Sequence, residues 1–375
     1  MTFKKKIIFV TATRADFGKL KSLIKITKSR KEFEVFIVVT GMHIIKNFGN
    51  THLEINKFFK SNIFKFENQN LGDRLEIILT KTTEKFSNYV KKIKPDLIVL
   101  HGDRVETLAC ALVGSLNHIL TAHIEGGELS GTIDDTIRHT VTKLSHVHFV
   151  GSDDAKRRVK KMGEIKNQIY NIGSPDIDVI LNDKLPTFDQ VRKRYSINFN
   201  DYGILVWHPV TSNIKFLKKE TTKLLKFLQK LKRKVIIIYP NNDPGNKLIL
   251  DCYKKIKSKN FQIIKSLRFE FFLTLLKKSQ FIIGNSSSAI YEAPILKVPA
   301  INIGNRQHKR LNAKIIKNFE VDELSEKKLN NFLRSYEATK KVYFGYGNSD
   351  KKFIKIILKR SFWNIPTQKF FSDFS

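Results

Sequence analysis

Short apolar runs alternate with longer amphipathic segments along most of the chain. Five runs in the first half are rich in Val, Ile and Leu: KIIFVTA (6–12), EVFIVVTG (34–41), DLIVLHGD (96–103), ILTAHIEGG (119–127) and HVHFVGS (146–152). Most close on Gly, Asp or Ser, the signature of parallel strands buried on both faces. Helical periodicity is expected over 18–29, 71–92, 104–116 and 134–145, with Pro95 as a stop signal after the second. Strands and helices in alternation predict an α/β chain with a doubly wound open sheet. The pattern then restarts with GILVWHPV (203–210), KVIIIYPN (234–241), FQIIKS (261–266), QFIIGNSS (280–287) and VPAINIG (298–304). The polar stretch 173–200, with Pro175 and Pro186, predicts a domain junction near 175–185. The expected organisation is therefore a first domain over 1–180, a second over 181–350, and a last helix and tail over 351–375. The tail, SFWNIPTQKFFSDFS, either frays or anchors its aromatics on a neighbouring surface.

Length agrees with two domains, because 375 residues exceed what one core usually supports. Hydrophobic residues at 41% exclude a disordered chain. No apolar stretch approaches the roughly 20 residues of a membrane helix, so no membrane partner is expected. The basic, then apolar start resembles a signal peptide, but Arg14 and Asp16 follow without a small-residue cleavage site, and a buried first strand explains it better. Lys and Arg number 68 against 35 Asp and Glu, a formal charge of +33. That surplus first suggests nucleic acid. The charge is spread along the chain, however, and is mostly lysine, whereas arginine makes the commonest base-specific contacts. A solvated lysine surface is the reading adopted, with no nucleic-acid partner. Cys110 and Cys252 are the two cysteines; this excludes a disulfide framework and a cysteine-rich zinc site and fits a reducing cytoplasm.

In open α/β sheets, ligands bind beyond the carboxyl ends of the strands, and the polar residues of this chain collect there. After the first run come Arg14 and Asp16, with Gly18 and Lys19 expected to open a helix; an arginine beside a helix N-terminus suits a phosphate, and a structural ion pair suits it equally. No GxGxxG or GxxxxGK[ST] occurs, so a dinucleotide fingerprint and a P-loop are both missing. Asp103, with Arg104, and Glu125 end successive runs beside glycines. Adjacent strands lie about 4.8 Å apart, so the two carboxylates are expected to face one crevice. Clustered carboxylates can hold different protonation states, one as acid and one as base. Asp134 and Asp135 begin the next helix, where capping is the plainer role for Asp135. The histidines include no HExxH, and no metal is expected. In the second half, Gly284-Asn285-Ser286-Ser287-Ser288 offers backbone N–H groups, hydroxyls and a helix end to a diphosphate, with Glu292 placed for ribose hydroxyls. His208 ends the first strand of this half, and Arg306 and Arg310 follow what is read as its last strand.

Together these segments resemble the hydrolysing UDP-N-acetylglucosamine 2-epimerases of sialic acid biosynthesis. The matching motifs are TRADFGKL (13–20), TGMH (40–43), HGDR (101–104), HIEGGELSGTIDD with IRH (123–139), HPVT (208–211), GNSSS (284–288) and NIGNRQ (302–307). They span nearly the whole chain in order, and HIEGGELSGTIDD is the most specific. Tyr291 departs from relatives that carry arginine there, so no ligand role is given to that position. The resemblance implies a GT-B fold: two Rossmann-like doubly wound domains, the active site in the cleft between them, and the last helix crossing back onto the first domain. It also implies a homodimer and no cofactor, since inversion proceeds by elimination and not by oxidation.

By that resemblance, UDP leaves C1 as the C2 proton is removed, giving 2-acetamidoglucal; hydration then yields N-acetylmannosamine and UDP. Asp103, Glu125 and Asp134 align with the catalytic carboxylates. Arg14, Asp16, Lys19, His43, Arg104, His208, Asn285, Ser286, Ser287, Glu292 and Arg306 are assigned to the UDP-sugar. Enzymes acting on UDP-N,N'-diacetylbacillosamine share this frame, and a GT-B glycosyltransferase would share the UDP site.

Overall fold

In the computed structural model, the described residues are 4–45, 51–70, 72–182, 184–210, 213–307, 310–338 and 343–373. Leu71, where the second helix was expected to begin, and Thr211 of the HPVT motif lie outside them.

The first apolar run forms β1 (Lys5–Thr11), and its residues alternate between two cores. Ile7 and Phe9 pack on one side of the sheet with Val35, Ile37 and Val99. Ile8 and Val10 pack on the other with Phe36, Val38 and Ile98. A strand buried on both faces must be apolar throughout, which is why these runs read as continuous and not alternating. The other strands of this sheet are β2 (Phe33–Val39), β3 (Ile63–Lys65), β4 (Leu97–His101), β5 (Leu120–Ile124), β6 (Val147–Val150) and β7 (Ile169–Asn171). Their order is β3-β2-β1-β4-β5-β6-β7, all parallel. The helices of this part are α1 (Arg14–Lys28), α2 (His52–Phe58), α3 (Leu75–Ile93), α4 (Val105–Leu116), α5 (Ile133–Leu144), α6 (Asp153–Lys161) and α7 (Pro175–Asn182). Strand order reverses between β1 and β4, the switch point at which such sheets bind ligands.

The second sheet contains β8 (Gly203–Val206), β9 (Val235–Ile238), β10 (Phe261–Ile264), β11 (Phe281–Gly284), β12 (Ala300–Ile303) and β13 (Ile316–Phe319). Its order is β10-β9-β8-β11-β12-β13, with the reversal between β8 and β11. Around it lie α8 (Phe188–Tyr195), α9 (Ile214–Lys230), α10 (Asn246–Lys255), α11 (Phe269–Lys277), the four-residue α12 (Glu292–Ile295) and α13 (Glu326–Ser335). One core joins Leu205, Ile237, Ile283 and Ile301 of the strands to Leu224 and Leu228 of α9.

The chain divides into two units. One holds Met1–Glu128, Asp134–Asp183 and Tyr343–Ser375; the other holds Leu129–Ile133 and Lys184–Val342. In the first, α14 (Ser349–Ile357) places Phe353, Ile354 and Ile357 in the core of Ile7 and Phe9, joined by Phe362 from the following turn. Asp178 of α7 caps its start, accepting the backbone N–H of Ser349 and of Asp350, each at 2.9 Å. Those two donors would otherwise be orphaned at a helix N-terminus.

Three strands lie outside the sequence expectation: β3, β7 and β13. Each sits at a sheet edge and is three or four residues long, with Lys65, Asn171, Lys317 and Asn318 ending or interrupting what would otherwise be apolar runs. Arg306 and Arg310 consequently follow β12 and precede β13; they do not close the sheet. Helix α1 also begins earlier than expected. Thr13 is its N-cap, so Gly18 and Lys19 lie inside the helix and not at its opening. Among the described residues, no helix is long and apolar enough to cross a membrane.

Candidate functional site

At the carboxyl end of β1 the chain turns directly into α1. Thr13 and Asp16 form a reciprocal capping box. The Asp16 carboxylate also accepts the N–H groups of Ala12 (2.9 Å), Thr13 (2.7 Å) and Phe17 (3.1 Å). Asp16 is thus engaged by its own turn. Arg14 Nε lies 3.3 Å from Oε2 of the buried Glu54. His43, just beyond β2, is fully buried between the hydroxyls of Thr11 and Thr51. Burial lowers its pKa to about 4, and His123, also sealed, falls to about 3.

A histidine whose folded pKa is depressed adds stability that is present above its unfolded value of 6.5 and lost as pH falls through the folded one. His43 alone should therefore remove about 2–3 kcal/mol between pH 7 and pH 4. Urea unfolding at the two pH values measures this, and His43→Gln should lose less on acidification than the native chain.

The carboxylates gather at the ends of β4 and β5. Register pairs His101 with Ile124 across these strands, so the residues that follow each strand emerge side by side. Glu125 takes a left-handed backbone conformation, φ 62°, which costs a non-glycine residue about 1 kcal/mol or more. Gly127 makes the return possible: its φ is +79°, and a Cβ there would stand 2.6 Å from Ala155 O.

The buried Glu125 carboxylate is surrounded. Lys19 Nζ lies 3.1 Å from Oε2, His101 Nε2 lies 3.0 Å from the same oxygen, and the Ser174 hydroxyl donates to Oε1. Lys19 is also 3.3 Å from Asp176, whose carboxylate is fully buried. Burial would raise the Glu125 pKa, but the Lys19 charge, the His101 ring and Ser174 overcome it and hold the carboxyl well below its usual range. This Glu is a fixed anion.

Asp103 is held differently. The buried guanidinium of Arg138, on α5, donates to Asp103 Oδ2 and, at 3.1 Å, to Glu128 O. Arg138 also lies 3.6 Å from Asp135, which reaches His139 Nε2 at 3.4 Å. Asp135 thus pairs one turn along α5, with Arg138 and His139, and Asp134 stands beside it at the start of the helix. Arg104 Nε lies 3.7 Å from the buried Glu106.

In the second unit, β11 ends at Gly284, where φ is +132° and a Cβ would lie 2.0 Å from Val206 O; only glycine fits this approach to β8. Asn285 then braces the turn. Its side chain accepts the His208 N–H at 2.7 Å and donates to His208 O at 2.9 Å. Gln307 and Arg306 donate to Asn285 O at 2.9 and 3.3 Å. The Asn241 N–H donates to His208 Nδ1 at 3.0 Å, which places the ring proton of the neutral imidazole on Nε2. Ser286 caps a short 3-10 turn, Ser287–Ala289. Glu292 is the first residue of α12 and not further down it. With only these short helical pieces, the helix dipole adds little, and N–H groups, hydroxyls and Arg306 are the anion-suited features.

Sequence reasoning gave no role of its own to Ser174, Asp176 or His101. Ser174 and Asp176 fall in the Pro-containing stretch read as a junction, where polar residues carry no periodic signal. His101, two residues before Asp103, was the available clue.

A family model for UDP-N-acetylglucosamine 2-epimerase matches residues 25–358. The chain is 39% identical over 373 residues to the UDP-N-acetylglucosamine 2-epimerase of Neisseria meningitidis serogroup B, across 98% of this chain and 99% of that one. It is 36% identical over 333 residues to the GDP/UDP-N,N'-diacetylbacillosamine 2-epimerase (hydrolyzing) of Campylobacter jejuni, 86% of each chain. The crystal structure of Methanocaldococcus jannaschii UDP-GlcNAc 2-epimerase, in complex with UDP-GlcNAc and UDP, superposes with a TM-score of 0.80 at 22% identity, over 94% of this chain and 99% of that one. The fold is of the GT-B type.

Proposed function

The chain belongs to the UDP-N-acetylglucosamine 2-epimerase family, and from that premise we propose that it is a hydrolysing member, converting UDP-N-acetylglucosamine and water to N-acetylmannosamine and UDP for sialic acid biosynthesis. The observation that carries this reading is the pair of carboxylate clusters at the neighbouring ends of β4 and β5: Asp103 on Arg138, and Glu125 among Lys19, His101 and Ser174. Elimination followed by hydration needs proton transfers at two faces of C2, which a simple sugar transfer does not. In this proposal Asp103, Glu125 and Asp134 serve those transfers, directly or through a partner.

The departing diphosphate needs positive charge and N–H donors. Arg14, His208, the Ser286–Ser287 turn and Arg306 are proposed to supply them, with Glu292 directed to the ribose. The buried free cysteines, Cys110 and Cys252, support a reducing cytoplasm as the setting. A homodimer is carried forward from the family resemblance, and sedimentation equilibrium reads it directly.

A second reading, UDP-N,N'-diacetylbacillosamine as substrate, is favoured by the likeness to the hydrolysing Campylobacter enzyme. Comparing kcat/KM for the two UDP-sugars separates the readings. Preference for UDP-N-acetylglucosamine supports the first, and preference for the diacetylated sugar replaces it with the second.

The diphosphate turn makes its own prediction. Replacing Ser286 and Ser287 with Ala should weaken UDP binding about tenfold or more per lost contact, since a hydrogen bond to a charged oxygen is worth about 1.5–3 kcal/mol. Backbone donors survive, so binding falls without vanishing. Calorimetric titration with UDP checks it; equal Kd values would remove 284–288 from the phosphate site.

A further inference from the structure

Both oxygens of the Glu125 carboxylate are engaged by donors inside the first unit. Oε2 receives Lys19 and His101, and Oε1 receives Ser174. A carboxylate in that position is a poor proton acceptor, because taking a proton would break contacts with an ammonium and a hydroxyl in a buried site. The same arrangement does something definite to His101. An ionised carboxylate only accepts, so the ring must donate from Nε2, and in the neutral imidazole the lone pair then lies on Nδ1. Among the described residues, no hydrogen-bond partner falls to that nitrogen. The His101 backbone is also fixed at the end of β4, where its carbonyl O accepts the Thr107 hydroxyl at 3.1 Å, so among the described residues the Nε2 contact alone orients the ring. A buried carboxylate fixing one imidazole nitrogen so that the other can act is the logic of the carboxylate–histidine pair in hydrolases.

We propose that His101 is the base of the elimination step and that Glu125, with Lys19 and Asp176 behind it, is the positioning residue that fixes its tautomer and stabilises the imidazolium. The assignment rests on the hydrolysing-epimerase reading above. The C2 proton passes to His101 Nδ1, and the C2–H electron pair becomes the second bond of the C1=C2 alkene. The C1–O bond breaks with its pair going to the β-phosphate oxygen of UDP. The charge on the imidazolium is balanced by Glu125, and Asp176, 3.3 Å from Lys19, shares that ammonium with Glu125. The proton returned at the opposite face of C2 comes from a different group, and His101 releases its own to water after the product leaves.

The test has two arms. In the first, His101→Ala is assayed in deuterated water with and without added imidazoles of graded basicity. The expected result is a fall in kcat of about 10²–10⁴-fold, and partial recovery that increases with the basicity of the added imidazole. Activity within about fivefold of the native enzyme, or a folded variant that no imidazole rescues, overturns the proposal. In the second, nitrogen-15 NMR of histidine-labelled native protein at neutral pH reads the tautomer without any substitution, so it decides even if the variant does not fold. A proton on Nε2 and a bare Nδ1 is expected at His101, and a proton on Nδ1 overturns the proposal. Native enzyme that releases no free N-acetylated sugar from any UDP-sugar overturns the functional reading itself, an outcome distinct from a failure at His101.

Discussion

Glu125→Gln is expected to lower turnover by about 10²-fold or more and to leave the fold in place. The amide is nearly the size of the carboxylate, so packing is kept, but the charge that balances Lys19 and His101 is gone. An amide also offers N–H groups where the native residue only accepts. Either it faces its N–H to the Lys19 ammonium, which is repulsive, or to His101 Nε2 (native separation 3.0 Å), which drives the ring to the other tautomer and puts its proton on Nδ1. In a carboxylate–histidine pair the wrong tautomer alone costs about 10⁴ in kcat, so the loss is expected at or beyond the scale of one acid/base group. Asp176, 3.3 Å from Lys19, still neutralises that lysine, so thermal stability should fall only modestly. Steady-state UDP release with a melting curve on the same sample measures both. Turnover within about threefold of native would take Glu125 out of the chemistry.

Arg138→Met carries the largest expected loss of stability. Its guanidinium is buried and fork-bonded to Asp103 and to Glu128 O, with Asp135 nearby. Removing one partner of a fully buried ion pair typically costs about 3–5 kcal/mol; the Asp103 side chain keeps 26% of its exposure, so water takes over part of the contact and a loss of about 2–3 kcal/mol is expected. Asp103 also loses the group that orients it, so activity should fall in the fraction that remains folded. Arg138→Lys is not a rescue, since an ammonium cannot supply the planar fork that spans a carboxylate and a carbonyl. Combining Arg138→Met with Asp103→Asn should cost less than the sum of the two single changes, because both remove the same interaction. Denaturant titrations of the four proteins give the comparison. Strict additivity would mean that the pair contributes nothing as a pair.

How far the sequence revealed this molecule depended on the kind of signal each part carries. The central strands were legible because burial on both faces demands Val, Ile and Leu, and those runs fall on β1, β2, β4, β5 and β6 and on β8, β9, β11 and β12; the edge strand β10 was legible too, because Phe261, Ile263 and Ile264 keep it apolar. The edge strands β3, β7 and β13 were not, since Lys65, Asn171, Lys317 and Asn318 end or break up their apolar residues. Helix α1 was placed too late because Gly18 and Lys19 resemble a helix opening, whereas Thr13 and Asp16 form the actual capping box.

At the site, Asp103, Glu125 and Asp134 stood out by lying at strand ends beside glycines and at a helix start. The residues that set their state come from distant sequence: Lys19 is 106 positions from Glu125, Ser174 is 49, and Arg138 is 35 from Asp103. No local spacing encodes such pairings; they follow from the sheet register and the crossovers. The left-handed backbone of Glu125 is equally invisible beforehand, because nothing in the residue type announces a positive φ.

The most direct test of the hydrolysing-epimerase account is incubation with UDP-N-acetylglucosamine in deuterated water, followed by proton NMR of the products. The account predicts free UDP and N-acetylmannosamine carrying deuterium at C2, because the C2 proton is removed and its replacement comes from solvent. A product still joined to UDP, or released N-acetylmannosamine with its original C2 proton, would contradict it.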